Sequence, residues 1–186
     1  LTEAGVVAVK ADSPYKTIEE LVAAAKEKGN LKASTNGNKA SNHTAAQLLA
    51  KSAGFKYKAI PYGGTADQLL ALRQGEVDFT CAKVADVAKL VKGDKPELRV
   101  LAVFNTKRDP ELPNVPTLGE KGLYPEWYGS ARALVAPKGT KPEVIQYYVE
   151  AFKKTMQDPA VIEAHKKAGM ALDFKDNKEL GDLIKA

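Results

Sequence analysis

Three stretches of this 186-residue chain set polar or conformationally permissive residues between a strand-like run and a helix start. The richest is Ala33-Ser-Thr-Asn-Gly-Asn-Lys-Ala-Ser-Asn-His43. A helix start offers free N–H groups and a partial positive charge, so an organic anion fits there without a dedicated cation. Gly37 permits a turn closed to other residues. The same segment would also serve as a capped loop around Asn and Gly that binds nothing. It is not a Walker loop, because the closing Gly-Lys-Ser/Thr is absent. The second stretch is Pro61-Tyr-Gly-Gly-Thr65, where paired glycines allow close backbone approach and Tyr62 can stack or donate a hydrogen bond. The third is the end of the run Val77–Cys81 with Ala82-Lys83. Lys83 could neutralise an anion, or stand exposed as most lysines do. The candidate binding set is therefore Ser34, Thr35, Asn36, Gly37, Asn38, Lys39, Ser41, His43, Tyr62, Gly63, Gly64 and Lys83.

Catalytic chemistry finds little to stand on. His43 and His165 share no metal-ligand spacing, and neither Gly-x-Ser-x-Gly nor His-Glu-x-x-His occurs. Cys81, the one cysteine, ends an apolar run and reads as a buried, inert thiol. The remaining enzymatic option is a hydrolase using Ser41 or Cys81 with His43 as base, which requires the pair within hydrogen-bond reach. His43, near a helix start, reads more simply as a structural hydrogen bonder. No metal or cofactor is expected.

The elements that must position these loops alternate. Strands are expected at Gly5–Lys10, Leu31–Ser34, Tyr57–Pro61, Val77–Cys81, Leu98–Phe104 and Met170–Phe174, with an extended segment over Trp127–Ala136. Capping boxes at Thr17–Glu20, Thr65–Gln68, Thr117–Glu120 and Thr140–Glu143 predict four helix starts. Further helices are expected over Ser41–Ala53, Val84–Val91, after Asp158-Pro159 and after Asp176. Strands alternating with helices imply an α/β fold around a mostly parallel sheet. Ligands in such sheets bind beyond the carboxyl ends of the strands, where all three stretches lie.

The chain is 44% hydrophobic and 27% charged with a net charge of +5. Its lysines are spread along the helices and turns, without an Arg-rich arm or interleaved aromatics, so the basic balance is not read as nucleic-acid binding. No apolar run is long enough to span a bilayer. A single cysteine excludes an intramolecular disulfide. The start Leu-Thr-Glu-Ala-Gly reads as the interior of a longer chain.

Taken in order, these segments resemble the tripartite tricarboxylate transporter receptor family, the Bug-type periplasmic binding proteins. Val7–Thr17 resembles the family's crossing strand and Ser-Pro-Tyr-Lys-Thr turn, and Ser34–His43 its Ser-Gly-x-Gly-Ser-x-x-His loop. Ile60–Gly64 is similar to Val-Pro-Tyr-x-Gly-Gly, and Gly75–Asp78 to Gly-x-Val-Asp. Arg108, Leu112–Leu118 and Glu120 match the signature Arg…Leu-Pro-x-Val-Pro-Thr-Leu-x-Glu. Trp127-Tyr-Gly and Ala136–Thr140 resemble the second crossing segment. The sequence departs from the pattern at Lys39 and Ala40, where the family has Gly and Ser, and at Ala82, where an acidic residue is common.

The resemblance implies a non-catalytic periplasmic receptor of the type II binding-protein fold, closing on a small carboxylate and passing it to membrane transporter subunits; a sensor lobe of a signalling system built on the same fold is the other open reading. Residues 9–127 would form the complete second lobe, and residues 1–8 and 128–186 the crossing segments and the C-terminal part of the first. About three-fifths of a family member would be present, without the N-terminal segment. Lys39 and Ala82 would make the pocket more positive than usual and favour a di- or tricarboxylate over a zwitterion. A first lobe lacking its neighbours would be less regular and invite a dimer of this chain.

Overall fold

The computed structural model describes residues 2–168 and 172–185. Six strands form one sheet: β1 Thr2–Lys10, β2 Lys32–Thr35, β3 Lys58–Pro61, β4 Phe79–Lys83, β5 Leu98–Phe104 and β6 Gly129–Ala131. Their order is β3-β2-β4-β1-β5, with β6 also paired to β1. Strand β2 is parallel to β3 and β4, while β1 is antiparallel to both β4 and β5. Four of these strands thus point one way and β1 runs against them. The carboxyl ends of β2, β3 and β4 consequently share one edge of the sheet.

Helices α1 Ile18–Lys28, α2 Ser41–Ala53, α3 Thr65–Gln74 and α4 Val84–Val87 follow the first strands in turn. Val7 and Val9 of β1 face one apolar layer with Ile18, Leu21, Leu49 and Phe79. Val6 and Ala8 face a second with Leu69, Leu72, Val87 and Leu112. Covering both faces explains why β1 reads as unbroken Val and Ala rather than as an alternation. Each buried Leu or Val contributes roughly 1.5–3 kcal/mol over the exposed state.

Several expectations shift. At Thr17 the capping box forms: its hydroxyl accepts from Glu20 N, and Glu20 accepts from Thr17 N. At Thr65 it does not; Gly64 is the N-cap and Gln68 turns inward. Thr117 and Glu120 make the box bonds, yet the chain goes on as turns through Gly119 and Gly122. The helix expected over Val84–Val91 stops at Val87, because Leu90 O is recruited by the N–H groups of Glu97 and Leu98 on the return to β5. Strand β4 runs on to Lys83, two residues past the expected end. Of Trp127–Ala136, only Gly129–Ala131 is strand. Thr140 does not cap; its hydroxyl donates to Pro137 O. Leu172–Phe174 is not strand, and Met170 and Ala171 lie outside the described residues.

The chain divides into two compact units, Ala4–Ser130 and Leu1–Glu3 with Ala131–Ala186. The first contains both apolar layers. Gly5 lets β1 pass close to the returning chain: its N–H donates to Tyr128 O at 2.8 Å, and a Cβ there would sit 3.1 Å from that oxygen. The second unit holds α5 Pro142–Thr155, α6 Pro159–Lys167 and α7 Asn177–Lys185. Asp158 caps α6 through Ala160 N. Arg132 pairs with Glu3, and Thr2 Oγ1 donates to Asp173 at 2.5 Å. No described residue from Ala131 onward is buried.

Candidate functional site

Parallel register brings the three stretches together. Ser34 lies beside both Ile60 and Thr80, so the ends of β2, β3 and β4 emerge side by side. Tyr62 N–H extends the ladder by donating to Thr35 O at 2.9 Å, which sets Tyr62-Gly63-Gly64 next to the loop after β2. Neither α2 nor α3 has a side-chain cap, and α2 carries no acidic residue in its first turn. Their N-terminal N–H groups, with the positive end of each helix dipole, therefore face this edge.

Lys83, the last residue of β4, is buried, and its ammonium lies among these groups. It donates to Asn42 Oδ1 at 2.6 Å and to Ser41 Oγ at 3.2 Å. A buried ammonium is retained only where acceptors compensate lost hydration. Tyr128, from the returning segment, donates its hydroxyl to Ser41 O at 3.2 Å. Two side-chain oxygens at the end of β2, Thr35 Oγ1 and Asn36 Oδ1, are buried without a hydrogen-bond partner. Buried polar atoms of this kind are uncommon and mark places where a further partner fits.

The expected residues divide. Thr35, Asn36, Ser41 and Lys83 sit at the carboxyl edge of the sheet. Ser34 is fully buried and bonds Thr80 and Gln68 O, so it supports the edge from beneath. Gly37 takes φ 119°, a conformation that favours glycine. Asn38 and Lys39 are exposed. Gly63 is exposed and Gly64 half-buried beside the α3 start. The Tyr62 hydroxyl turns away to Glu76 at 3.0 Å. His43 accepts from Lys39 N at 3.0 Å through Nδ1 and contacts Gln47 through Nε2.

The hydrolase pairing does not form. Both ring nitrogens of His43 are engaged by Lys39 and Gln47, while Ser41 Oγ accepts from Lys83. Cys81 is wholly buried, and burial pushes its thiol up to about 12, far from the thiolate a nucleophile needs. Among the described residues, no group of three or more His, Cys, Asp or Glu could hold a metal. Two shallow grooves elsewhere, of about 420 and 400 Å³, follow the ends of α1 and α2, beside Lys26, Lys51 and Lys56, and the flank of β5, beside the Lys92–Glu111 ion pair.

Sequence reasoning missed Asn42, Gln68, Thr80 and Tyr128. Gln68 carried a signal that pointed elsewhere, to a cap. Asn42, Thr80 and Tyr128 carried none, since only the fold brings them to this edge.

The family model for the tripartite tricarboxylate transporter family receptor matches residues 1–186. The chain belongs to this receptor family. The UPF0065 protein in the gbd 5' region of Cupriavidus necator is 37% identical over 172 residues, covering 92% of this chain and 51% of that protein. A TctC solute binding protein from Polaromonas superposes with a TM-score of 0.87 at 28% identity, over 99% of this chain and 62% of that one. R. palustris Rpa4515, solved with adipate, shares the fold at a TM-score of 0.79 and 22% identity, over 99% of this chain and 61% of its own. The family receptor seen here thus spans about half the length of its curated relative. Its fold is that of the periplasmic binding proteins. Among the described residues, no helix is long and apolar enough to cross a membrane.

Proposed function

We propose that the complete protein is a periplasmic solute-binding receptor, without catalytic activity, that captures a small organic anion and delivers it to the membrane subunits of a tripartite transporter. The observation that carries this reading is the buried Lys83 ammonium beside Ser41 at the uncapped start of α2. A fixed cation, open N–H groups and hydroxyls together suit an ionised carboxylate and leave a neutral sugar without its acceptors. Family membership and a relative of the same fold solved with adipate support a dicarboxylate or tricarboxylate. Ser34 to His43, Tyr62 to Gly64 and Lys83 form one wall of the site; residues 9–127 are the second lobe and residues 1–8 and 128–186 belong to the first. Titration calorimetry of the full-length receptor with mono-, di- and tricarboxylates is the test. Binding of a neutral sugar with no response to any acid would refute it.

We further propose that this 186-residue chain, taken alone, self-associates. Val144, Tyr147, Tyr148 and Phe152 of α5 and Ile162 of α6 are all exposed, a row of apolar side chains unusual on a monomer.

A further inference from the structure

Behind Lys83 a run of hydrogen bonds leads through buried polar groups into the sheet. Lys83 Nζ donates to Asn42 Oδ1 at 2.6 Å, and Asn42 Nδ2 donates to Gln68 Oε1 at 2.9 Å. Gln68 Nε2 donates to Cys81 O at 2.6 Å and to Thr80 Oγ1, and the Thr80 hydroxyl donates to Ser34 O at 2.9 Å. Asn42, Gln68, Thr80 and Ser34 come from α2, α3, β4 and β2, and none is more than 1% exposed.

The direction is dictated from the sheet outward. Cys81 O is a backbone carbonyl and can only accept, so Gln68 must turn its NH₂ toward β4 and its oxygen toward Asn42. Asn42 must then offer its NH₂ to Gln68, which leaves Oδ1 facing Lys83. An acceptor there favours the charged ammonium. Apolar residues would fill the same space, but they would leave Lys83 without this acceptor.

We propose that Asn42 and Gln68 are positioning residues for ligand capture: they hold the Lys83 ammonium charged and fixed beside Ser41, so that the site selects an ionised carboxylate. This rests on the reading of Lys83 as part of the ligand site. Among the described residues, the other titratable groups on the surrounding elements are Asp86 on α4, which accepts from Lys83 N at 3.1 Å, His43 and Lys51 on α2, Asp67 and Arg73 on α3, Lys32 on β2 and Cys81 on β4, with Tyr128 donating its hydroxyl to Ser41 O. Substitution at Asn42 or Gln68 leaves all of them in place.

Two readouts separate the relay from the function. The first needs no ligand: titration of the Lys83 side chain in this chain, followed by NMR of its Cε and Nζ, with Lys83→Met for assignment. Gln68→Met and Asn42→Leu should each lower the Lys83 midpoint by at least about one pH unit, while Asn42→Asp should raise it. Unmoved midpoints in folded variants would overturn the proposal. The second is succinate binding by the full-length receptor. Gln68→Met and Asn42→Leu should weaken it at least about tenfold, as should Asn42→Asp, whose carboxylate competes for the ammonium. If Lys83→Met binds succinate like the wild type, or the wild type ignores it, the assignment of Lys83 to a dicarboxylate site fails, whatever NMR shows. Should Asn42→Leu unfold, Asn42→Asp, which keeps the acceptor and the volume, still decides.

Discussion

Lys39 stands at φ 61° while its backbone N–H donates to His43 Nδ1 at 3.0 Å. The loop is thereby held in a left-handed turn, a conformation that favours glycine, with a lysine at its centre. The left-handed conformation costs a non-glycine residue roughly 1–2 kcal/mol, and glycine's greater freedom in the unfolded chain returns roughly 0.5–1 of that.

Lys39→Gly is therefore expected to leave stability unchanged or raise it by up to about 1 kcal/mol, whereas Lys39→Val should lower it. Urea denaturation of the two variants decides. A clear loss of stability in the glycine variant would mean the lysine side chain contributes something that its exposed position conceals.

Cys81 makes stability depend on alkali. Its thiol is held at about 12 in the folded protein by burial, against 9.0 when unperturbed. Below about pH 9 both states are protonated and the group has no effect. Above it the unfolded chain releases a proton that the folded one keeps, so stability falls by up to about 1.4 kcal/mol per pH unit until the folded thiol also ionises. Comparing wild type with Cys81→Ala between about pH 8 and 10 isolates this slope, because Tyr57, also pushed up to about 12 by burial, contributes only from its own unperturbed 10.0 upward. Equal slopes would sink the prediction. The native thiol should likewise resist alkylation until the protein unfolds.

Gly5→Ala should be costly. The added methyl would lie 3.1 Å from Tyr128 O and 3.2 Å from Phe104 Cδ2, within a buried crossing. Overpacking of this kind costs about 1–3 kcal/mol and would push the returning segment off β1. Chemical denaturation gives the magnitude, and a loss below a few tenths would show that the segment yields.

Self-association is the fourth expectation. Sedimentation velocity on this chain at about 50 μM should show species larger than the monomer, and Tyr147→Lys with Phe152→Glu should restore it. A wild-type monomer would show that the α5 face is tolerated in water.

The fold was largely legible, because helix starts and apolar runs are local. The site was legible only as an edge. Thr17–Glu20 and Thr65–Gln68 carry the same spacing, yet one caps and the other does not. The difference is Thr80 and Cys81 O across the sheet, which give Gln68 a better partner than its own helix start. No window of a single sequence contains that neighbour. The most specific motif also proved structural. Arg108 grips Glu120 through Nε and Nη2 at 3.0–3.1 Å, while Val103 N–H donates to Pro116 O and Leu118 N–H donates to Val103 O, clasping the Pro-rich turn to β5. A pattern that stands out in sequence can record how a loop is fastened rather than what it binds.

The 2.8 Å bond between Gly5 and Tyr128 has a consequence for how such a protein can be assembled. The unit Ala4–Ser130 departs from the rest of the chain and rejoins it through backbone that touches itself. Its entrance and exit occupy one spot, so a host needs to open only a single surface turn to receive it. In genetic terms it is a portable cassette: one insertion event could carry the sheet edge, its loops and the buried lysine into another scaffold intact.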